Sequence, residues 1–271
     1  MGLRISAVLA ALALTGAAGP GPSVRYLESR QTPDGGLAEP RGRPDATLTA
    51  WALLALRAAG ASTQTARDYL VAHESELESV QLAVLAEASA GRPSDRLLTR
   101  LAALQERSGA IGDALNSTAW GVLALAQAGR AVPRPSVRFL LRHQSRSGGW
   151  SWHAGGKPDS NDTAAVIESL RAAGVAGRPI RRGLGYLRRL QNRDGGFALT
   201  QGDASDSQST AWAIQAFLAA GKSPGPPAYR FLARMRRSDG SYRYSARYAI
   251  TPVWVTAQVL PAVSGKPFPL R

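Results

Sequence analysis

One spacing that recurs along this chain constrains its fold more than any other feature. Three segments read alike: Tyr26-Leu27 to Gln31 to Gly35-Gly36-Leu37, Phe139-Leu140 to Gln144 to Gly148-Gly149-Trp150, and Tyr186-Leu187 to Gln191 to Gly195-Gly196-Phe197. In each, five residues separate the aromatic from the Gln, and five more separate the Gln from the second Gly. Phe231, Arg236 and Gly240-Ser241-Tyr242 keep the same frame. A second signature follows the glycine turns: Thr49-Ala50-Trp51, Thr118-Ala119-Trp120, Thr163-Ala164-Ala165 and Thr210-Ala211-Trp212. Each has a glycine 11 residues past its threonine, at Gly60, Gly129, Gly174 and Gly221. The same offset gives two weaker copies, Val80 to Gly91 and Trp254 to Gly265, for six units in all.

Each unit therefore predicts a helix, a Gly-rich turn, a second helix and a Gly or Pro stop. Second helices such as Ala50-Trp51-Ala52-Leu53-Leu54-Ala55-Leu56 are apolar on nearly every face, so they must be enclosed on all sides. First helices are amphipathic: Leu184, Tyr186, Leu187 and Leu190 oppose Arg181, Arg182, Arg188 and Arg189. Second helices are thus predicted inside and first helices outside. A glycine after each inner helix suits a left-handed stop. With no strand pattern in view, the expected fold is all-α: a closed α/α toroid of six helical hairpins, about twelve helices, over residues 20–271.

The first 19 residues read as a signal peptide. Met1 to Arg4 carries one positive charge, Ile5 to Leu14 is apolar or small, and Gly16-Ala17-Ala18 suits a leader peptidase. A membrane span needs about 20 apolar residues, more than this run offers. The expectation is a secreted, extracytoplasmic monomer. With no cysteine, disulfides, thioesters and cysteine-ligated metals are excluded. The charge of +14 comes almost wholly from arginine, clustered at Arg178, Arg181, Arg182, Arg188 and Arg189 and again at Arg230, Arg234, Arg236 and Arg237. Such clusters suit peripheral contact with membrane or wall polymers. No nucleic-acid motif accompanies them, so nucleic acid is not an expected partner.

The arrangement resembles the prenyltransferase and squalene-cyclase repeat superfamily over nearly the whole mature chain. Arg182-Gly183-x-x-Tyr186-Leu187-x3-Gln191-x2-Asp194-Gly195-Gly196-Phe197 is similar to its Gln-Trp repeat, although the last aromatic is Trp only at Trp150. The resemblance implies the toroid and an active cavity that opens where inner helices begin. It leaves function open among cyclases, protein prenyltransferases, thioester domains and cobalamin carriers. The repeated Gln31, Gln144 and Gln191 are predicted as scaffold, capping backbone groups at a helix end.

Acids stand near the predicted start of five inner helices, at Asp45, Glu76, Asp113, Asp159 and Asp206. They suit helix N-caps and, equally, a ring of carboxylates around one mouth. Asp159-Ser160-Asn161-Asp162-Thr163-Ala164 is similar to the Asp-x-Asp-Asp-Thr-Ala motif of cyclases that begin by protonating an alkene or epoxide. In those enzymes the middle carboxylic acid gives the proton; here that position is Asn161, whose amide is no acid. Candidates for an enzyme are therefore Asp159, Asn161 and Asp162. Asp159 with Asp162, or Asp203 with Asp206, would be the pair for a glycosidase or lyase. A zinc enzyme lacks its cysteine and has only His73, His143 and His153 to draw on.

The reading that remains is non-catalytic: a toroid binding an amphipathic or apolar small molecule, cobalamin-carrier-like or lipid-like, or a partner protein at the mouth. A partner chain would close the cavity, and no cofactor is expected. The expected ligand face comprises Asp45, Trp150, Trp152, His153, Asp159, Asn161, Asp162, Phe197, Asp203 and Asp206. The mature protein should show a strongly helical circular dichroism spectrum that EDTA leaves unchanged; a dominant strand signal, or unfolding by the chelator, would contradict this reading.

Overall fold

The computed structural model describes residues 19–77 and 79–270. The leader expected over residues 1–19 lies, apart from Gly19, outside the described residues. Among the described residues no helix is long and apolar enough to cross a membrane.

Six hairpins follow one another. They pair α1 (Gly21–Glu28) with α2 (Ala46–Ala58), α3 (Gln64–Ala72) with α4 (Val80–Ala90), and α5 (Asp95–Ala103) with α6 (Leu115–Gln127). The others pair α7 (Arg134–Arg142) with α8 (Ser160–Ala172), α9 (Arg178–Arg189) with α10 (Ser207–Ala219), and α11 (Pro226–Met235) with α12 (Pro252–Val263). The even-numbered helices pack each on the next, and α12 packs on α2, so the inner ring is closed. Among the described residues the helices are joined by one two-stranded ribbon, β1 (Phe197–Ala198) with β2 (Ser205–Asp206), and by isolated β-bridges in the turns.

The sequence signature has a structural cause in one hydroxyl. Thr49 Oγ1 accepts the turn amide of Leu37 at 2.8 Å and donates to the N-cap carbonyl of Asp45 at 2.7 Å. Thr118, Thr210 and Thr256 repeat this double bond with Ile111, Phe197 and Tyr242. Thr163 does the same for Trp150 on the amide side. All five threonines are fully buried. The sixth unit is thus marked by Thr256, not Trp254, and the second by Ala83, four residues past its N-cap Ser79, not Val80. Those helices have 12 and 11 residues where α2, α6, α8 and α10 have 13, so counting back from the glycine overshoots.

Glycine is obligatory in the turn. Gly195 has φ +88°, and a Cβ there would stand 2.5 Å from the carbonyl oxygen of Pro227 in the next unit. Gly240 meets Pro22 in the same way at 2.2 Å, so the last turn wedges against the first helix and helps close the ring. The repeated glutamines hold this turn rather than a helix end: Gln31, Gln144 and Gln191 donate to Gly35, Gly148 and Gly195 carbonyls at 3.0, 2.8 and 3.0 Å.

Part of the arginine excess also belongs to the scaffold. Arg142 lies over Phe139 and donates to the Ser108 carbonyl of the preceding turn. Arg189 over Tyr186 reaches Ser147, and Arg234 over Phe231 reaches Asp194. Each guanidinium staples one unit to the one before it while its stem covers an aromatic ring.

Replacing Thr210 by valine keeps the volume but strips the buried Phe197 amide of its acceptor. Urea unfolding of Thr210→Val should show a loss of about 1–3 kcal/mol; a loss under about 0.3 kcal/mol would mean the hydroxyl is dispensable.

Candidate functional site

Taking the threonine position as origin, residues two places beyond it share one level of the ring: Trp51, Leu85, Trp120, Ala165, Trp212 and Gln258. Helices α2, α6 and α10 are alternate members of the ring, so side chains from all three can meet only across its axis. Three tryptophans do meet there. Trp51 and Trp120 have ring centroids 5.3 Å apart, Trp120 and Trp212 5.4 Å, and Trp51 and Trp212 6.0 Å, all edge to face. Trp254, one helical turn nearer the mouth, joins Trp51 at 5.9 Å. The expected central cavity is therefore closed at this level by indoles. Trp51, Trp120 and Trp254 remain partly exposed at this level.

The rim is built by a relay. Near the start of α6 the Asn116 N–H donates to Trp152 O at 3.1 Å, and at the first residues of α8 and α10 the Ser160 N–H donates to Leu199 O at 2.9 Å and the Ser207 N–H to Tyr244 O at 2.7 Å. At α12 the acceptor is a side chain: Glu39 takes the amides of Val253 and Trp254 at 3.0 and 2.8 Å. Each loop thus satisfies orphan amides on the preceding unit's helix, and Glu39 carries the pattern across the ring closure. The charged Glu39 cap adds a favourable interaction with the helix dipole.

These bonds place Trp152, Leu199, Asp159, Asn161, Asp162 and Asp206 at one end of the ring, together with the exposed Asp45. Asp45, Asp159 and Asp206 are N-caps, accepting from Leu48, Asp162 and Ser209 amides at 2.7, 2.8 and 2.7 Å. Two expected acids fall out of that set: Glu76 lies in the 3-10 turn Glu74–Glu76, and Asp113 precedes the N-cap Ala114. Two expected ligand residues also need correction. Trp150 and Phe197 are wholly buried within their hairpins, where Trp150 Nε1 donates to Leu140 O at 2.7 Å. Both occupy the position after the glycine pair, which points into the hairpin. Trp152 stays 57 % exposed. His153 is exposed beside Trp152, and Asp203 binds Thr200 at the loop tip, which holds its carboxyl below its ordinary range.

Asp162 is the unusual group. It is 4 % exposed, and Asn116 Nδ2 donates to its Oδ1 at 2.6 Å. Burial, then a hydrogen bond to Asp159 and that residue's charge, push its pKa up to about 8, against the pull of Asn116. The neutral acid form is thus favoured at Asp162, one residue past Asn161. Asp159 Oδ1 accepts the Asp162 backbone N–H at 2.8 Å, so this carboxylate is engaged in capping α8. Burial also raises the pKa of Asp206. Among the described residues no three His, Asp or Glu side chains gather as a metal site.

Sequence reasoning missed Asn116, Glu39 and the tryptophan cluster. Trp51, Trp120 and Trp212 stand at one offset in alternate units, and that regularity was the available signal.

No family model and no curated protein matches the sequence. Solved structures share its fold. The type II terpene cyclase MstE from Scytonema, in complex with geranylgeranyl dihydroxybenzoate, superposes with a TM-score of 0.73 at 13 % identity, covering 95 % of this chain and 98 % of its own. A protein from Actinoplanes gives 0.66 at 19 % identity over 91 % and 98 %. A glycosidase in complex with glucose gives 0.62 at 11 % identity over 91 % and 95 %.

The Asp162 shift has a stability consequence. Its carboxyl loses its proton near 3.8 in the unfolded chain and near 8 in the fold. Between those values the folded chain holds more protons, so this contribution is whole below about pH 4 and is lost as pH rises through about 8. Asp162→Asn is neutral throughout and should flatten the curve. Urea unfolding at about pH 5 and about pH 8.5 should show the unaltered protein losing more stability than the variant by at least about 1 kcal/mol; parallel curves would place the proton elsewhere.

Proposed function

We propose that this chain is an exported, non-catalytic toroid that holds an amphipathic or apolar small molecule, lipid-like or cobalamin-carrier-like in kind, in the cup at the ring's mouth. The observation that carries this reading is the closure of the axis by Trp51, Trp120 and Trp212. A polyene must fold inside a deep channel to cyclise, and indoles in edge-to-face contact leave a shallow floor instead. That floor suits an apolar or planar ligand body, with the Asn161 amide and the Asp45 carboxylate within the rim for polar groups.

The rim supports the same reading. Of the five large hydrophobics most exposed among the described residues, Trp152, Leu199, Tyr248 and Ile250 lie in the loops that lead into α8, α10 and α12. Large apolar side chains gathered on one face mark a binding surface, here for the ligand or for a partner chain that closes over it. The basic clusters on α9 and α11 would add peripheral attraction to an anionic wall or membrane.

One observation favours a second reading as a terpene cyclase: Asp162 keeps a proton at neutral pH, as an acid that protonates an alkene must. Its carboxyl is spent on Asp159 and Asn116, which suits a structural pair better than a donor facing substrate.

Native mass spectrometry of protein from its own host's extract should retain a small-molecule mass. Incubation with squalene, oxidosqualene and linear prenyl diphosphates should give no cyclised product. Trp254→Ala should weaken binding of the retained molecule about tenfold without lowering helicity, consistent with the loss of one aromatic contact of about 1.4 kcal/mol. Turnover by the unaltered protein, abolished by Asp162→Asn, would make it a cyclase.

A further inference from the structure

At and below the tryptophan level the ring carries a second set of groups that the mouth does not use. Five places beyond the threonine, α8 presents Glu168 and α10 presents Gln215; on the adjacent α12, Gln258 stands at the tryptophan level. Their exposures are 0, 0 and 2 %. The opposite wall offers Leu54, Leu85 and Leu123 at matching levels, all fully buried. The lower bore is thus polar on one side and apolar on the other.

The chain's own C-terminal segment fills it from the end remote from the mouth. Phe268 packs against Trp51, Trp120 and Trp212 with centroids 6.4, 6.4 and 6.0 Å away. Its N–H donates to Glu168 Oε2 at 2.7 Å. Gln127, at the same end of α6, grips both backbone groups of Leu270, at 2.6 and 3.1 Å. This occupant matches the polar wall poorly. Gln215 Nε2 and Oε1, Gln258 Nε2 and Glu168 Oε1 are buried without a hydrogen-bond partner. Buried polar groups are almost always paired, and three such side chains on three neighbouring helices, all facing one axis, are a recognition surface in want of its ligand.

We propose that the lower bore is a binding site for a neutral amphiphile with a hydroxyl or primary-amide head, and that residues 266–270 occupy it in that ligand's place. The head group sits among Glu168, Gln215 and Gln258 and pairs their free atoms. The alkyl body lies where Phe268 lies, against the tryptophans and Leu123. The walls present only carboxyl and amide groups, and burial raises the Glu168 pKa well above its ordinary value, so a neutral head suits them better than a charged one. The site is separated from the mouth by the tryptophan layer and does not depend on what the mouth binds.

The test titrates the full chain with 1-octanol, octylammonium and octanoate, following tryptophan fluorescence. Phe268→Ala in the full chain should bind 1-octanol at least tenfold more tightly than the unaltered chain, and neither charged probe should compete. Adding Gln215→Leu to that variant should cut octanol affinity at least tenfold while the helical spectrum is kept. A chain ending at Gly265 provides the independent arm: the peptide Lys-Pro-Phe-Pro-Leu-Arg, supplied separately, should displace octanol from it. Equal octanol binding by the unaltered and Phe268→Ala chains would overturn the proposal. So would octylammonium binding as well as octanol, or indifference to Gln215→Leu. Should the shortened chain lose its helical signal, the tail is a fixed part of the fold, and that result too counts against a displaceable occupant.

Discussion

The ring depends on a hydroxyl group that never reaches water. Four of the five buried threonines accept from the glycine turn and donate to the inner helix it feeds, while Thr163 accepts from and donates to Trp150 of its turn. The bond does two jobs that a hydrophobic side chain cannot do together. It satisfies a turn amide that packing has cut off from solvent, and it fixes the angle at which outer and inner helices meet. The threonine recurs in five of the six units, and the inner helix of the sixth packs back against that of the first. Gly240 then wedges on Pro22, Ser23 Oγ donates to Gly240 O at 2.7 Å, and Glu39 caps α12. Closure is thus the sum of local geometry and leaves no terminal repeat in need of a cap, as an open solenoid would.

The mouth shows how this scaffold places polar chemistry. Inner helices begin there together, so their unpaired amides gather at one end and call for acceptors. Asp45, Asp159 and Asp206 answer from their own helices, while Glu39 and the carbonyls of Trp152, Leu199 and Tyr244 answer from neighbouring loops. Carboxylates at this mouth are therefore a requirement of the fold before they are a sign of catalysis. Asp162 is one acid more than the capping needs. Burial and the neighbouring Asp159 carboxylate favour its neutral form.

The hairpin order, the inside and outside helices and the turn glycines were legible in the sequence because each is a local consequence of spacing and polarity. The register of α4 and α12 was not, since both helices are shortened and the glycine stop no longer measures back to the threonine. Trp150 and Phe197 were misplaced for a related reason: a turn residue beside the mouth can point into the hairpin, and only the pleat at the glycine pair decides which. The arginine staples were hidden by the excess of arginine around them. Contacts across the axis join residues from non-neighbouring units, and the shared offset of Trp51, Trp120 and Trp212 was their trace in the sequence.

That axis is where fold and function meet. Six equal helices packed at roughly 9 Å form a hexagon whose centre is also roughly 9 Å from every helix axis. A helix lined with small residues fills only about 5 Å of that distance, so the ring is built with a hole about 8 Å across. Close packing forbids leaving such a space empty along its length. The chain fills the middle with tryptophans from alternate helices and the lower end with its own Phe268, and it lines one wall with amides that this filling leaves unpaired. A hole of this kind must hold something, whether side chain, tail or ligand. What distinguishes one toroid from another is therefore less the ring, which repeats, than the choice of what stands at its centre.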